Sequence, residues 1–177
     1  MTSPIDVVPE WDGPDVLSLR ASGIQSAYDV YRDLGLTPKP PGEAGEALVA
    51  ALRARRGWTI EVRHVSMAEL PSYTGFVRTI GPNHWVILVR DDVTPGQGDL
   101  IIAHEVAHIL RDNVTPEGWP RPRVIPVTPS EVVASAFAVT MQRLMVYGDP
   151  EGERAAALAR LPDVYRAVLS RLNVRDL

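Results

Sequence analysis

Three ionisable residues interrupt an otherwise aliphatic stretch of the sequence. Residues 100–110 read LIIAHEVAHIL, in which only His104, Glu105 and His108 are not aliphatic. A helix of this composition is apolar on almost every side, so we expect it to be buried. Burying polar groups without partners costs about 1 to 3 kcal/mol for each neutral group and more for a charge. A bound cation would remove that cost.

The spacing of the two histidines suits such a cation. Residues four apart project from one face of a helix, with Cβ atoms about 5 to 6 Å apart. His104 and His108 can therefore each direct a ring nitrogen at one metal ion, at about 2.0 to 2.1 Å. Glu105 lies one position round the helix, where the general base for a zinc-bound water is expected. The competing interpretation is a helix of hydrogen-bonded polar residues that matches HExxH by chance.

Composition excludes several classes of protein. The 177 residues are enough for one domain with a substantial core, and the net charge of -4 argues against a protein that binds nucleic acid directly. The absence of cysteine excludes disulfides and thiolate zinc sites, so a zinc ion would need His and carboxylate ligands. Residues 1–13 lack the pattern of a signal peptide, and no apolar run approaches the roughly 20 residues that span a bilayer. We therefore expect a cytoplasmic protein that does not bind membranes.

Hydrophobic periodicity predicts an α+β fold. Turn residues at 81–83 predict an antiparallel hairpin between the second and third strands. The predicted elements are a short helix from residue 23 or 24 to 34, a helix over 42–56, strands 58–63, 73–80 and 85–90, the HExxH helix, and helical segments 128–147 and 151–172. The fold class is thus a small antiparallel three-stranded sheet packed on the HExxH helix, with flanking N- and C-terminal helices.

We divide the chain into three segments at its proline-rich and glycine-rich stretches. Residues 1–41 are an N-terminal arm and short helix, residues 42–147 are the main domain, and residues 148–177 are a helical extension packed on it. Asp99 is the predicted N-cap of the HExxH helix. Residues 112–127 contain four prolines and little periodicity. Because a loop of that length is more often functional than accidental, we expect it to wall a cleft beside the histidines.

A catalytic zinc usually has three protein ligands and one water, so a third ligand is needed. His64 is interpreted as an outward-facing strand residue and His84 as turn or cleft lining. Among downstream acids, Asp112 and Glu117 are candidates, but Glu131 is preferred. Small residues follow it on the same helix face, which would let that helix approach the HExxH helix closely.

A local explanation for Glu131 competes with the ligand role. Thr128-Pro129-Ser130-Glu131 fits a capping box, in which the Glu131 side chain folds back onto the amide of Thr128. A capping glutamate need bind nothing else. From the residues alone, both roles stay open.

The combination of HEVAH at 104–108 with EVVASAFA at 131–138 resembles the ImmA/IrrE family of metallopeptidases. That family's pattern is HExxH followed, a few tens of residues later, by ExxANxFA. The resemblance covers about residues 42–145 and implies a zincin-like metallopeptidase domain. It implies Zn²⁺ as cofactor, Glu105 as catalytic base, and the zinc ligands His104, His108 and Glu131. Two departures concern the choice of substrate more than zinc binding: Ser135 replaces the usual asparagine, and residues 140–143 replace an apolar ending.

Members of this family act on regulatory proteins, often helix-turn-helix repressors, so the resemblance implies a protein substrate of that kind. Tyr73, His84 and Tyr147 are possible second donors to an oxyanion. Two alternatives remain: a zinc peptidase with another substrate, and a zinc-stabilised module that binds a partner without cutting it. Glu105 favours catalysis, because a purely structural site has no use for a base there.

Overall fold

A computed structural model describes residues 15–111 and 128–152 of the chain. Within these ranges the elements follow in the order α1 (Val16–Asp33), α2 (Ala44–Arg56), β1 (Thr59–Val65), β2 (Gly75–Gly81), β3 (His84–Arg90), α3 (Pro95–Leu110) and α4 (Pro129–Tyr147). This confirms the predicted α+β class. The predictions for the N-terminal arm, the loop at 112–127 and the segment after residue 152 lie outside the described residues. The division of the chain at residues 41 and 147 stays a prediction.

The sheet is mixed, so the prediction of an antiparallel sheet is wrong for one strand. Its order is β1-β3-β2. The hairpin of β2 and β3 is antiparallel as predicted, with Val77 opposite Ile87, but β1 pairs with β3 in parallel, with Val62 opposite Ile87. Successive strands alternate in direction. β1 and β3 therefore run in the same direction, and because they are neighbours in the sheet, their pairing is parallel.

The two faces of the sheet have different roles. Ile60, Val77, Ile87 and Val89 are buried in the main core with the helices. On the other face, Val86 and Leu88 pack with Leu70 from the segment that joins β1 to β2, and this smaller cluster also includes Val65, Tyr73 and Phe76. The connecting segment therefore covers part of one face, and the helices cover the other. Among the described strands, β1 and β2 lie at the two edges of the sheet.

Asp99 does not cap α3, contrary to the sequence prediction. The N-cap is Thr94, five residues before Asp99; Thr94 and Gln97 form a capping box, and Pro95 occupies the first turn. Asp99 lies inside α3 and is buried, and its carboxylate accepts hydrogen bonds from the amides of Gly42 and Gly45 at 2.5 and 2.8 Å. It therefore satisfies orphan N–H groups at the start of α2 and ties that helix to α3.

Helix α1 is longer than predicted and packs against α4. It begins at Val16, where the Asp15 side chain accepts the amide of Leu17, rather than at residue 23 or 24. The helices cross closely at Gly23, where a Cβ atom would lie 2.4 Å from the carbonyl oxygen of Val133. Because Gly23 has no side chain, α1 can lie directly on the first half of α4.

Helices α3 and α4 pack together in opposite directions. Near the far end of α4, the side chain of Gln142 donates a hydrogen bond of 2.7 Å to the carbonyl of Gly96, in the first turn of α3. Both helices contribute buried alanines to the main core: Ala103 and Ala107 from α3, and Ala134 and Ala138 from α4. Of the helices in the described part of the chain, none combines the length and apolarity that a membrane span requires.

Candidate metal centre

The end of α3 and the start of α4 bring three potential ligands together. His104 and His108 lie one turn apart near the end of α3, and Glu131 lies in the first turn of α4. Because these helices pack antiparallel, the end of α3 lies beside the start of α4. His108 is buried, while His104 and Glu131 are partly accessible. One ligand atom from each residue falls within 4.8 Å of the others, so the cluster could hold a metal ion.

The distances between these atoms match those expected around a tetrahedral ion. The Nε2 atoms of His104 and His108 are 3.1 Å apart, and they lie 3.2 and 3.3 Å from the two carboxylate oxygens of Glu131. Two ligands that are each about 2.0 to 2.1 Å from a tetrahedral ion are separated by about 3.3 Å. The three side chains are therefore close enough together to hold one metal ion.

The side chain of Glu131 does not complete a capping box. The Thr128 hydroxyl caps α4 by accepting the amide of Glu131 at 3.3 Å, which is half of the predicted motif. The other half would need the Glu131 carboxylate to accept the Thr128 amide, but the carboxylate is directed at the two histidines. The backbone amide of Glu131 thus takes part in capping α4, and its side chain contacts the two histidines of the cluster.

Charges within the cluster favour an anionic Glu131. Hydrogen bonds from His104 and His108 hold the pKa of Glu131 well below its usual range. Burial lowers the pKa of His104, but the hydrogen bond with Glu131 and the nearby carboxylate charges outweigh it, so this pKa is raised. The raised pKa means that the cluster favours a positive charge at this position. A metal ion would supply that charge in place of a proton.

Glu105 lies beside the cluster and is not part of it. It is buried against β2, and burial raises the pKa of its carboxyl, against the opposing effect of the charges on His104 and His108. The backbone N–H of Val77 faces the carboxylate and acts to lower this pKa, but less strongly than burial raises it. Glu105 is therefore held between α3 and the edge strand of the sheet.

Several residues that the sequence offered as alternatives do not reach the cluster. His84 pairs with Glu61, its Nε2 lying 2.8 Å from the carboxylate, and alternation along β3 puts both on the face opposite α3. His64 is exposed on β1. Tyr147 is exposed at the end of α4, about 24 Å along the axis from Glu131. Asp112 and Glu117 lie outside the described residues.

The remaining candidate for the oxyanion, Tyr73, precedes β2. Its ring packs against Phe76 in the smaller cluster, with ring centroids 6.4 Å apart. A contribution of Tyr73 to the site stays a prediction.

Sequence reasoning missed Gly75, which lies against the site. A Cβ atom at this position would lie 3.4 Å from Oε1 of Glu105 and 2.0 Å from the Cγ2 methyl of Ile101. The available signal was a glycine inside a predicted strand, which often marks a close approach of another part of the backbone.

Comparisons with known proteins identify no relative: no family model, curated protein or solved structure matches this chain. The site is thus defined by its own geometry, as a candidate metal centre with two histidines, one glutamate and an adjacent second glutamate.

Proposed function

We propose that the protein is a zinc-dependent metallopeptidase of the ImmA/IrrE type. The observation that carries the proposal is the convergence of His104, His108 and Glu131 at separations of 3.1 to 3.3 Å, with Glu105 buried beside them. Two histidines and a carboxylate form the ligand set of many catalytic zinc sites, which keep a fourth position open. The resemblance of residues 104–108 and 131–138 to the family's motifs supports the same assignment.

The ligand chemistry supports zinc over other common ions. Calcium and magnesium prefer six or more oxygen ligands, which two imidazoles do not supply. The arrangement needs only four positions, three of which the protein fills. When bound, zinc would make a water molecule easier to deprotonate near neutral pH and would polarise the carbonyl group under attack.

Glu105 would act as the general base and then as the general acid. As the water oxygen attacks the carbonyl carbon of the scissile peptide, the Glu105 carboxylate accepts one of the water protons. It then passes this proton to the amide nitrogen as the C–N bond breaks, which leaves a carboxylic acid and an amine.

The edge strand β2 supports an extended peptide as substrate. Among the strands of residues 15–111 and 128–152 it pairs with β3 alone, and it lies over α3 beside Glu105. An extended segment can add to such an edge through backbone hydrogen bonds, and a flexible region of a regulatory protein offers one. The proposal that the substrate is a helix-turn-helix repressor rests on the family resemblance.

The first test compares zinc content and hydrolysis in three proteins: wild type, Glu131→Gln and Glu105→Gln. We expect wild type and Glu105→Gln to hold one zinc ion per chain by elemental analysis, and Glu131→Gln to lose it after dialysis. With unfolded casein as probe, only wild type should cleave. The glutamine variants are nearly isosteric, so each removes a charge with little change in packing.

Two outcomes would overturn the proposal. If Glu131→Gln keeps its zinc, Glu131 acts only in α4 and the ligand set is wrong. If wild type and Glu105→Gln both hold zinc and neither cleaves casein or a panel of coexpressed repressors, the site is a binding module stabilised by zinc.

A further inference from the structure

Gly75 allows strand β2 to lie directly on helix α3. Ordinary van der Waals contact begins at 3.4 Å, and a Cβ at Gly75 would lie only 2.0 Å from the Cγ2 methyl of Ile101. That methyl cannot turn aside easily, because a β-branched side chain in a helix has one strongly preferred rotamer. A side chain at position 75 would therefore push the strand and the helix apart by about 1.4 Å, the difference between these distances.

The same contact surface includes Glu105. Ile101 and Glu105 are four residues apart on α3 and so project from one face of the helix. On the strand, Gly75 and Val77 are two residues apart and project to one side. Gly75 thus lies against Ile101 and close to Oε1 of Glu105, while the backbone N–H of Val77 faces the same carboxylate.

The strand's hydrogen-bond pattern leaves this amide available. The carbonyl of Thr74 accepts the amide of Arg90, so the backbone groups of Thr74 and of alternate residues after it are directed at β3. Those of Gly75 and Val77 are directed away from β3, at the outer edge of the sheet. The amide of Val77 is therefore free of β3 and faces Glu105.

We propose that Gly75 is a positioning residue for Glu105: its missing side chain seats the edge strand on α3, so that the Val77 amide fixes the carboxylate beside the metal ligands. This inference rests on the proposed function, in which Glu105 is the base. Gly75 contacts no metal ligand itself. Its replacement should change where Glu105 lies and leave the His104, His108 and Glu131 cluster intact.

The test is a double-mutant cycle of Gly75→Ala and Ile101→Ala on the full chain with Zn²⁺ present. Removing the Ile101 methyl groups takes away the clash, so the double variant should regain what Gly75→Ala loses. Gly81→Ala is the matched control, because it adds the same methyl to the same strand, and there a Cβ has nothing within 4 Å. Glu105→Ala shows the exchange behaviour of the Val77 amide without its acceptor.

The primary measurement is residue-resolved amide exchange by NMR. Since a hydrogen bond to a carboxylate is stronger than one to a neutral group, we expect Val77 to exchange about tenfold faster or more in Gly75→Ala and in Glu105→Ala. Exchange at Ile87, in the central strand, should stay at the wild-type rate. Zinc content should stay at one per chain, and the rate of casein hydrolysis should fall about tenfold or more in Gly75→Ala and recover in the double variant.

The outcomes separate this inference from the proposed function. If Val77 exchange is unchanged in Gly75→Ala, or if Val77 and Ile87 accelerate together, Gly75 does not position Glu105 and the inference is overturned. A failure of Ile101→Ala to restore Val77 protection in the double variant would overturn it too. If the exchange results are as expected while wild type cleaves nothing, the positioning of Glu105 stands and the assignment as a peptidase fails.

Discussion

We expect the contact of helix α1 with α4 at Gly23 to set the position of Glu131, the proposed third ligand, and Gly23→Ala tests this. The added Cβ would lie 2.4 Å from the carbonyl oxygen of Val133 and 2.9 Å from Cβ of Ala136. Both neighbours are backbone or next to it and cannot rotate away. To reach ordinary contact at 3.4 Å, the two helices would have to separate by about 1 Å.

That separation has a cost in stability and in metal affinity. Overpacking a site of this kind costs about 2 to 3 kcal/mol, and the better helix propensity of alanine offsets about 1 kcal/mol, which leaves a net loss of about 1 to 2 kcal/mol. Val133 is two residues from Glu131, and metal–ligand distances tolerate only about 0.2 Å. We therefore expect zinc affinity to fall about 10- to 100-fold.

Gly96→Ala is the matched control, since it makes the same exchange in a helix where the nearest atom to a Cβ, on Gln142, is 3.7 Å away. It should stabilise the protein by up to about 1 kcal/mol and leave zinc affinity unchanged. Urea unfolding of the metal-free proteins gives the stabilities, and chelator competition gives the affinities. The reasoning is refuted if Gly23→Ala matches Gly96→Ala in both measurements, because α1 would then not constrain α4.

Two further predictions concern buried carboxylates. Asp99→Ala leaves the amides of Gly42 and Gly45 without their acceptor. The free energy of unfolding, measured in urea, should therefore fall by about 2 to 5 kcal/mol. A loss below about 1 kcal/mol would show that water replaces Asp99 as the acceptor. The hydrogen bond from Arg32 lowers the pKa of Asp149 in the folded protein. The pair therefore stabilises the fold fully above the unfolded pKa of about 3.9, and this stabilisation is lost as the pH falls through the lower pKa of the folded state. At pH 5 the wild type should be more stable to unfolding than Asp149→Asn by about 1 to 2 kcal/mol, and this difference should disappear by pH 2. A difference in stability that does not change with pH would contradict this account.

The parts of the structure that the sequence predicted correctly depend on local signals. The HExxH pattern places two histidines on one helix face whatever surrounds it, and the turn at 81–83 brings β2 and β3 together without help from the rest of the chain. The C-terminus of α2 was equally local: Gly57 follows basic residues and adopts a left-handed conformation with φ of 66°. Each of these features is set by residues within a few positions of one another.

The errors concern residues whose partners are distant in the sequence. Asp99 has the residue type and the place of a helix cap, but the amides it satisfies are 54 and 57 positions away. The pairing of β1 with β3 rather than β2 depends on how a connecting segment crosses the sheet, which alternation within a strand does not encode. The start of α1 was missed because its first residues, Val16 and Leu17, are exposed and follow no apolar stripe.

The role of Glu131 is intermediate between these cases. The sequence left it open between a helix cap and a ligand, because both explanations use the same residue at the same position. Only the packing of α4 on α3 brings its carboxylate to the histidines.

The placement of the ligands at the end of α3 and the start of α4 has a topological consequence. A metal held by His108 and Glu131 would tie together two points 23 positions apart in the chain. In a protein without cysteine, this ion would act as a reversible cross-link, in the manner of a disulfide. Closing a loop of this size in the unfolded chain is worth about 3 kcal/mol in chain entropy. The ion would thus add to the packing of α4 on α3 in holding the end of one helix against the start of the other.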